Sequence, residues 1–292
     1  MPENLTQANS GPTRVHRPFK AGLPNLIEYS KDMWTRRELA YELARAQLRA
    51  QQSTTLFGQL WLVLNPLIQA GIYYLLVIIL STNHKHGPDF VAHLLAGMFV
   101  YHTVTSAMGM GAASVVSLGK LIANRSFPRL LLPLSAAIVA MKRFWPTLII
   151  YSIYWVVFVP AGELGHDKFG WNMLWALPAI LLLAIFVFGL AALLATLQVY
   201  FRDMRSFLPF ISRIGLYVSP ILWMPEDVKG KAFAVIENYN PVYGLLCIFE
   251  EAVSNKPPTP AYWYAALFWT ALLFISGLLI FVSREREFSV RI

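Results

Sequence analysis

The sequence predicts an all-α membrane protein. It would have about six transmembrane helices, an N-terminal amphipathic interface helix, and a re-entrant outer hairpin between helices five and six. Three observations predict this. Charged residues make up 14% of the 292, against about 25% in an ordinary soluble chain, and hydrophobic residues make up 57%. Uncharged apolar runs of spanning length recur along the chain. Lysine and arginine gather in alternate loops.

The elements follow in order. Residues 1–33 are polar and rich in Pro, Gly and Asn, and read as a flexible cytoplasmic tail. Residues 34–54 carry Leu39, Leu43 and Ala46 at helical spacing, with Arg36, Arg37, Glu42, Arg45 and Arg49 on other faces. Such a helix is too charged to span and suits the membrane interface, or packing on a partner. Six apolar stretches then predict membrane helices at about 58–81, 90–116, 131–160, 171–200, 206–225 and 260–283. Arg213 is the charge inside the fifth. Residues 232–249 form a seventh apolar stretch, broken by Glu237, Asn238, Asn240 and Pro241. Its uncharged halves are too short to cross, so 226–252 reads as a re-entrant or surface hairpin.

Basic residues set the orientation. Arg14, Arg17, Lys20, Lys31, Arg36, Arg37, Arg45 and Arg49 precede the first run. Lys120, Arg125 and Arg129 lie in the second loop, Arg202 and Arg205 in the fourth, and Arg284, Arg286 and Arg291 in the C-terminal tail. The opposite side holds Lys85, Lys168, Lys229, Lys231 and Lys256. This bias predicts an even number of crossings with both termini cytoplasmic. The net charge of +8 is thereby topology signalling and attraction to anionic membrane lipids, with no nucleic-acid partner implied. Mostly polar residues precede the first apolar run, so the first membrane helix is expected to direct insertion.

Several chemistries are missing from the sequence. No GxxxxGK[ST] loop is present to cradle a nucleotide phosphate. No HExxH or cysteine cluster suggests a metal, and no DDxxD suggests a prenyl pyrophosphate enzyme. Cys247 lies in an apolar run and reads as a packed thiol. Glu250 and Glu251 are adjacent and read as solvated. The GMGAASVV run at 109–116 reads as close helix packing through small residues.

The second loop, LGKLIANRSFPRLLLPL at 118–134, is more informative. A short amphipathic helix ended by Pro128 would display Asn124, Arg125 and Phe127 to the cytoplasm, flanked by Lys120 and Arg129. That suits docking into a partner's cleft, although an ordinary positive-inside loop has the same composition. Arg202 and Asp203 form a tight turn that fits a local ion pair or a second contact. Lys142, Arg143 and Arg213 either face a cavity or snorkel to the cytoplasmic surface. Trp61, Tyr73 and Tyr74 belong to a belt, to packing, or to a path on which sugar C–H faces stack.

Read together, these stretches carry a family resemblance. The chain has LFGQLWLVLNPL at 56–67, IANRSFPRLLLPL at 122–134, LQVYFRDMRSFLPF at 197–210, YVSPILWMPE at 217–226 and NPVYGL at 240–245. This order resembles the transmembrane subunits of ABC-2 type polysaccharide exporters, the Wzm and teichoic-acid permease group, from about residue 34 onward. Within that group the chain looks most like the actinobacterial permeases of lipid-linked galactan. The resemblance implies a homodimer paired with two copies of a separate ABC ATPase, which binds the ATP and magnesium. It implies no cofactor and no catalysis in this chain, and a polyprenyl-pyrophosphate-linked glycan as cargo in a bacterial plasma membrane. It implies an interface helix at 34–54, a coupling loop at 118–130 and an outer gate hairpin at 226–252. Lys120, Asn124, Arg125, Phe127, Arg129, Arg202 and Asp203 would then meet the ATPase. Helices one and five would line the channel. Trp61, Tyr73, Tyr74 and Tyr217 would lie along it, with Arg49, Lys142, Arg143 and Arg213 receiving the headgroup. Lys142 and Arg143 stand where many relatives are apolar or acidic. A membrane enzyme acting on polyprenyl phosphates and a secondary transporter are the rival readings. The first lacks clustered acids; the second lacks an internal repeat.

Overall fold

The computed structural model describes residues 25–52, 58–80, 88–119, 127–160, 167–225 and 239–291. Among these residues all regular structure is helical. The main helices are α1 (Leu26–Thr35), α2 (Arg37–Gln52), α3 (Trp61–Leu80), α4 (Pro88–Val116), α5 (Leu131–Phe158), α6 (Ala176–Tyr200), α7 (Met204–Val218), α8 (Tyr243–Val253) and α9 (Pro260–Arg284). A 3-10 turn at Glu285–Glu287 leads into a last short helix, α10 (Phe288–Arg291).

Four segments are long and apolar enough to cross a membrane: Asp89–Val116, Leu131–Phe158, Trp171–Tyr200 and Pro260–Glu287. The apolar stretch Val63–Ile79 of α3 is shorter. The predicted fifth span is not one continuous membrane helix. Helix α7 ends at Val218, and Ser219 is extended (ψ 151°). The reason is local. Ser219 precedes Pro220, whose ring disfavours the helical conformation in the residue before it. Fifteen residues give only about 22 Å of helix, short of a hydrocarbon core of about 30 Å.

The N-terminal prediction also changes. Helix α1 begins at Leu26, inside the stretch read as tail, and Asn25 caps it by accepting from the Ile27 N–H at 3.2 Å. The amphipathic stretch is broken at Arg36, whose Nε bonds Asp32 at 2.9 Å. Helix α2 packs on α5. Its buried residues are Ala40 and Ala44, not the Leu39–Leu43–Ala46 stripe, and Ala46 is exposed. Alanines four apart lie on one face and let two helix axes come close.

Helix α4 is central. It touches α3, α5, α6, α7 and α8, and 78% of its most apolar window is buried, against 28% for α9. Protein therefore surrounds α4, while α9 turns most of its surface outward. The closest crossing joins α6 to α9. A Cβ added to Gly277 would lie 2.2 Å from the Gly189 carbonyl oxygen. One added to Gly189 would lie 2.5 Å from the Phe274 Cα. Gly111 similarly faces Ala191 across the α4–α6 contact. The GMGAASVV run is thus divided: Gly111 packs, while a Cβ on Gly109 would meet open space.

Of the predicted outer hairpin, residues 226–238 lie outside the described residues. The described part is α8, whose eleven residues include nine that are buried, so it is packed in protein. Eleven residues are too few to cross.

Candidate functional site

Helix α7 is, like α3, poorly embedded. Leu208 and Leu216 are its buried residues, whereas Phe207, Phe210, Ile211, Arg213, Ile214 and Tyr217 are exposed. It leaves a groove against α4 and the end of α6, with a cavity of about 490 Å³. Thr105, Ser117 and Ser212 bring hydroxyls to its wall, Arg205 a guanidinium and Gln198 an amide. Gln198 Nε2 donates to the Arg202 carbonyl at 2.9 Å, which fixes the amide's orientation, because a carbonyl can only accept. Its buried Oε1 has no hydrogen-bond partner. Small residues open the groove: Gly109, Ala112 and Ala113 line it from α4.

Beyond the groove toward the other end of α7, Tyr101 donates to the Ser212 carbonyl at 2.5 Å. Tyr73 of α3 bonds Tyr217, with Arg213 close by. These three predicted path residues therefore meet. Tyr74 is half-buried against the core, and Trp61 and Arg49 are exposed. Lys142 and Arg143 part company. Adjacent helical residues point about 100° apart. Arg143 Nη1 donates to Ser106 of α4 at 3.2 Å, one residue from the groove-lining Thr105. Lys142 points the other way, its Nζ 5.1 Å from the centre of the Tyr41 ring on α2. The structure thus sets Arg143 against α4, next to but not in the groove's lining, and leaves Lys142 on a different face of α5.

A second constellation forms at the opposite end of α9 from Pro260. Tyr29 donates to Glu285 Oε2 at 2.6 Å and accepts from the Leu130 N–H at 3.3 Å. Arg129 donates to the Glu285 carbonyl. Tyr200 donates to Glu287 at 2.5 Å, and Glu287 also pairs with Arg284 and Arg291. Arg202 reaches the Arg291 carbonyl at 3.4 Å, and the Arg291 guanidinium lies 4.3 Å from the Tyr200 ring centre. One face therefore joins the N-terminal helix, the end of the second loop, the Arg202 turn and the C-terminal tail. Phe127 is half-buried and packs with Phe281, Phe288 and Leu130, so it is not freely displayed as predicted. Asp203 is exposed at the start of α7. Lys120, Asn124 and Arg125 lie outside the described residues.

Burial first, then the Glu285 carboxylate, push the Tyr29 hydroxyl well above the usual tyrosine range, so it stays a donor at any working pH. Tyr29→Phe should cost about 1–2 kcal/mol by leaving Glu285 without that donor. Thermal unfolding of the purified chain checks this. An unchanged midpoint would show the contact to be idle.

The far end of the molecule corrects another expectation. Glu250 is not solvated: it is 12% exposed and pairs with His93 Nδ1 at 2.7 Å and with Lys256 Nζ at 2.9 Å. Burial opposes its ionisation, but His93 and Lys256 outweigh burial and hold the carboxyl at about 2. Nearby, Asn240 Nδ2 donates to Ser219 Oγ at 3.0 Å, and Asn240 Oδ1 accepts from the Val242 N–H at 2.9 Å. The Ser-Pro and Asn-Pro elements are thus tied directly together. Sequence reasoning missed Tyr29, Glu285, Glu287, His93 and Lys256 as site residues. For Tyr29, Glu285 and His93 the partners lie too far along the chain for any spacing rule to connect them: 256 residues separate Tyr29 from Glu285, and 157 separate His93 from Glu250.

Among the described residues no group of three or more His, Cys, Asp or Glu could hold a metal ion. Long apolar helices, a polar groove beside one poorly embedded helix, and a knot of charged and aromatic side chains at one end define a membrane transport subunit. The chain belongs to the ABC-2 type transporter family, whose model matches residues 38–252. It is a non-catalytic transporter subunit. It is similar to the O-antigen export system permease protein RfbA of Klebsiella pneumoniae, with 25% identity over 253 residues, covering 86% of this chain and 94% of that protein. A second protein of that name from the same species is 26% identical over 253 residues, with the same coverage of both chains. The RfbA permease of Myxococcus xanthus is 22% identical over 270 residues, covering 90% of this chain and 99% of its own length.

Proposed function

We propose that this chain is the permease half of an ATP-driven polysaccharide exporter in a bacterial inner membrane. The cargo is a polyprenyl-pyrophosphate-linked glycan of galactan type, and both termini face the cytoplasm. The similarity to O-antigen export permeases supports the class of cargo. The observation that carries the transport reading is α7. A 15-residue helix with Arg213 near its middle and most of its surface exposed is poorly suited to lipid. A second copy of the chain, facing it across a two-fold axis, supplies the missing cover. The two copies enclose a path walled by α3 and α7.

On this reading Arg205, Gln198 and the Thr105, Ser117 and Ser212 hydroxyls form the cytoplasmic mouth, and Arg143 stands behind them. The guanidinium attracts the phosphates and the hydroxyls replace their lost water. Further along, Tyr73 and Tyr217 offer weak, sequence-tolerant stacking to a moving sugar chain. Six crossings per copy are reached by counting α3, and by counting α7 with the turn after it. The outer hairpin serves as the gate. Two copies of an ATPase bind ATP and magnesium and drive the cycle. Their stroke enters through the second loop and reaches α9 and α1 through Phe127 and Arg129.

The test is coupling. Arg125→Glu combined with Phe127→Ala should lower glycan export at least about ten-fold, the effect of about 1.4 kcal/mol or more at a docking surface. The ATPase should still be expressed, and its copurification with the permease should fall. Export at the wild-type rate would remove this loop as the coupling site. Absence of any copurifying ATPase with the wild-type chain would remove the exporter reading itself.

A further inference from the structure

A second cavity, about 390 Å³, lies on the opposite side of α5 from Arg143. Its walls are apolar: Ile138, Met141 and Trp145 from α5, Ile185 and Phe188 from α6, and Phe274 from α9. Two polar groups stand among these walls, the Lys142 ammonium and the Tyr41 phenol of α2. We propose that this groove holds one anionic glycerophospholipid of the inner leaflet, with an acyl chain along α5 and its phosphate on Lys142 and Tyr41.

Three observations select that occupant. The first is depth. Helix α5 has 28 residues, about 42 Å, which exceeds the hydrocarbon core by about 12 Å. Its first turns can therefore stand outside the core, bringing Lys142 to within a snorkel's reach of the inner headgroups. Helix α2, amphipathic and packed on α5 through Ala40 and Ala44, supplies Tyr41 at the same level. The second is charge. The Lys142 ammonium lies over an aromatic ring, and Arg45 on the next turn of α2 from Tyr41 is exposed. Of the two acids that flank Tyr41 on that helix, Glu42 is held by Arg45 at 3.4 Å, and neither Glu38 nor Glu42 lines the groove, so the charge in the groove is that of Lys142 and favours an anion. The third is shape. Apart from Lys142 the lining residues from α5, α6 and α9 carry no charge, which suits an acyl chain and excludes a hydrated polymer. A lipid seated there would bridge α2 to the membrane-embedded helices. The inference depends on the membrane orientation and not on the identity of the cargo.

Native mass spectrometry of the full chain in lipid-free detergent tests it, with phosphatidylglycerol, diacylglycerol and a polyprenyl monophosphate as probes. The wild type should retain phosphatidylglycerol about five-fold better than diacylglycerol, the effect of one basic side chain at an anionic surface. Lys142→Ala should abolish that preference, and Lys142→Arg should restore it. Ile138→Trp, which fills the groove, should lower retention of both lipids. Equal retention of the two by the wild type would overturn the proposal. So would an unchanged preference in Lys142→Ala. Displacement of phosphatidylglycerol by an equal concentration of polyprenyl monophosphate would also overturn it, by giving the groove to a cargo lipid.

Discussion

Gly277→Val should abolish accumulation of the folded chain. The new Cβ would stand 2.2 Å from the Gly189 carbonyl oxygen and 3.3 Å from the Leu193 nitrogen. Both obstacles are backbone, so no side chain can swing aside. Overpacking a core against side chains costs about 1–3 kcal/mol; an obstacle made of helix backbone should exceed about 3 kcal/mol. The α6–α9 crossing would have to separate along its length, and with it the packing of Phe188 on Phe274. Gly71→Ala and Gly109→Ala are the controls. A Cβ at either position meets nothing within 4 Å, and alanine is the better helix former. Thermal unfolding and detergent-extracted yield measure the difference. A Gly277→Val chain that melts like the controls would show that α6 and α9 do not cross here.

Glu250→Ala should be nearly as severe. It leaves His93 in a nearly closed pocket, 3% exposed on the side chain, and leaves Lys256 without its carboxylate. Breaking a buried pair from one side costs about 3–5 kcal/mol. Glu250→Gln keeps a hydrogen-bond acceptor toward His93 and should lose less. The pH dependence has a definite sign. A carboxyl depressed in the folded state contributes stability above its unfolded value of about 4.3. That contribution is lost as pH falls toward the folded value of about 2. Melting of the wild type should therefore hold steady from this group between pH 7 and 5 and weaken below pH 4. The Glu250→Ala chain should lack this part of the acid sensitivity. If the two chains lose stability in parallel below pH 4, the pair carries no net stabilisation.

Much of the frame was legible because it is written in local composition. Long apolar runs gave α4, α5, α6 and α9, interrupted in α5 by Lys142 and Arg143, since a membrane span is defined by predominantly apolar residues. The same rule overran at α7. It counted the apolar side chains through residue 225 and gave no weight to Ser219 standing before Pro220, a backbone constraint that hydropathy does not see. Hydrophobicity also draws attention to Leu39, Leu43 and Ala46 as the apolar face of α2, whereas the helix packs through the close approach that Ala40 and Ala44 permit. The site was legible only where one helix or one turn holds it, as with Arg213 and Tyr217. Residues adjacent in sequence misled in both directions. Lys142 and Arg143 were grouped and serve different faces, while Glu250 beside Glu251 suggested a solvated surface. Contacts such as Tyr29 with Glu285, or His93 with Glu250, depend on which helices become neighbours, and nothing in the spacing of one chain specifies that.

The tie between Tyr29 and Glu285 has a consequence for biosynthesis. Helix α1 leaves the ribosome well before α9, yet the carboxylate that holds it lies 256 residues further along the chain. Until α9 has been inserted and Glu285 has emerged, Tyr29 has no carboxylate to meet. The contact between α1 and the turn after α9 thus forms only once α9 is in place. A chain truncated before Glu285 would leave the Tyr29 hydroxyl without that acceptor.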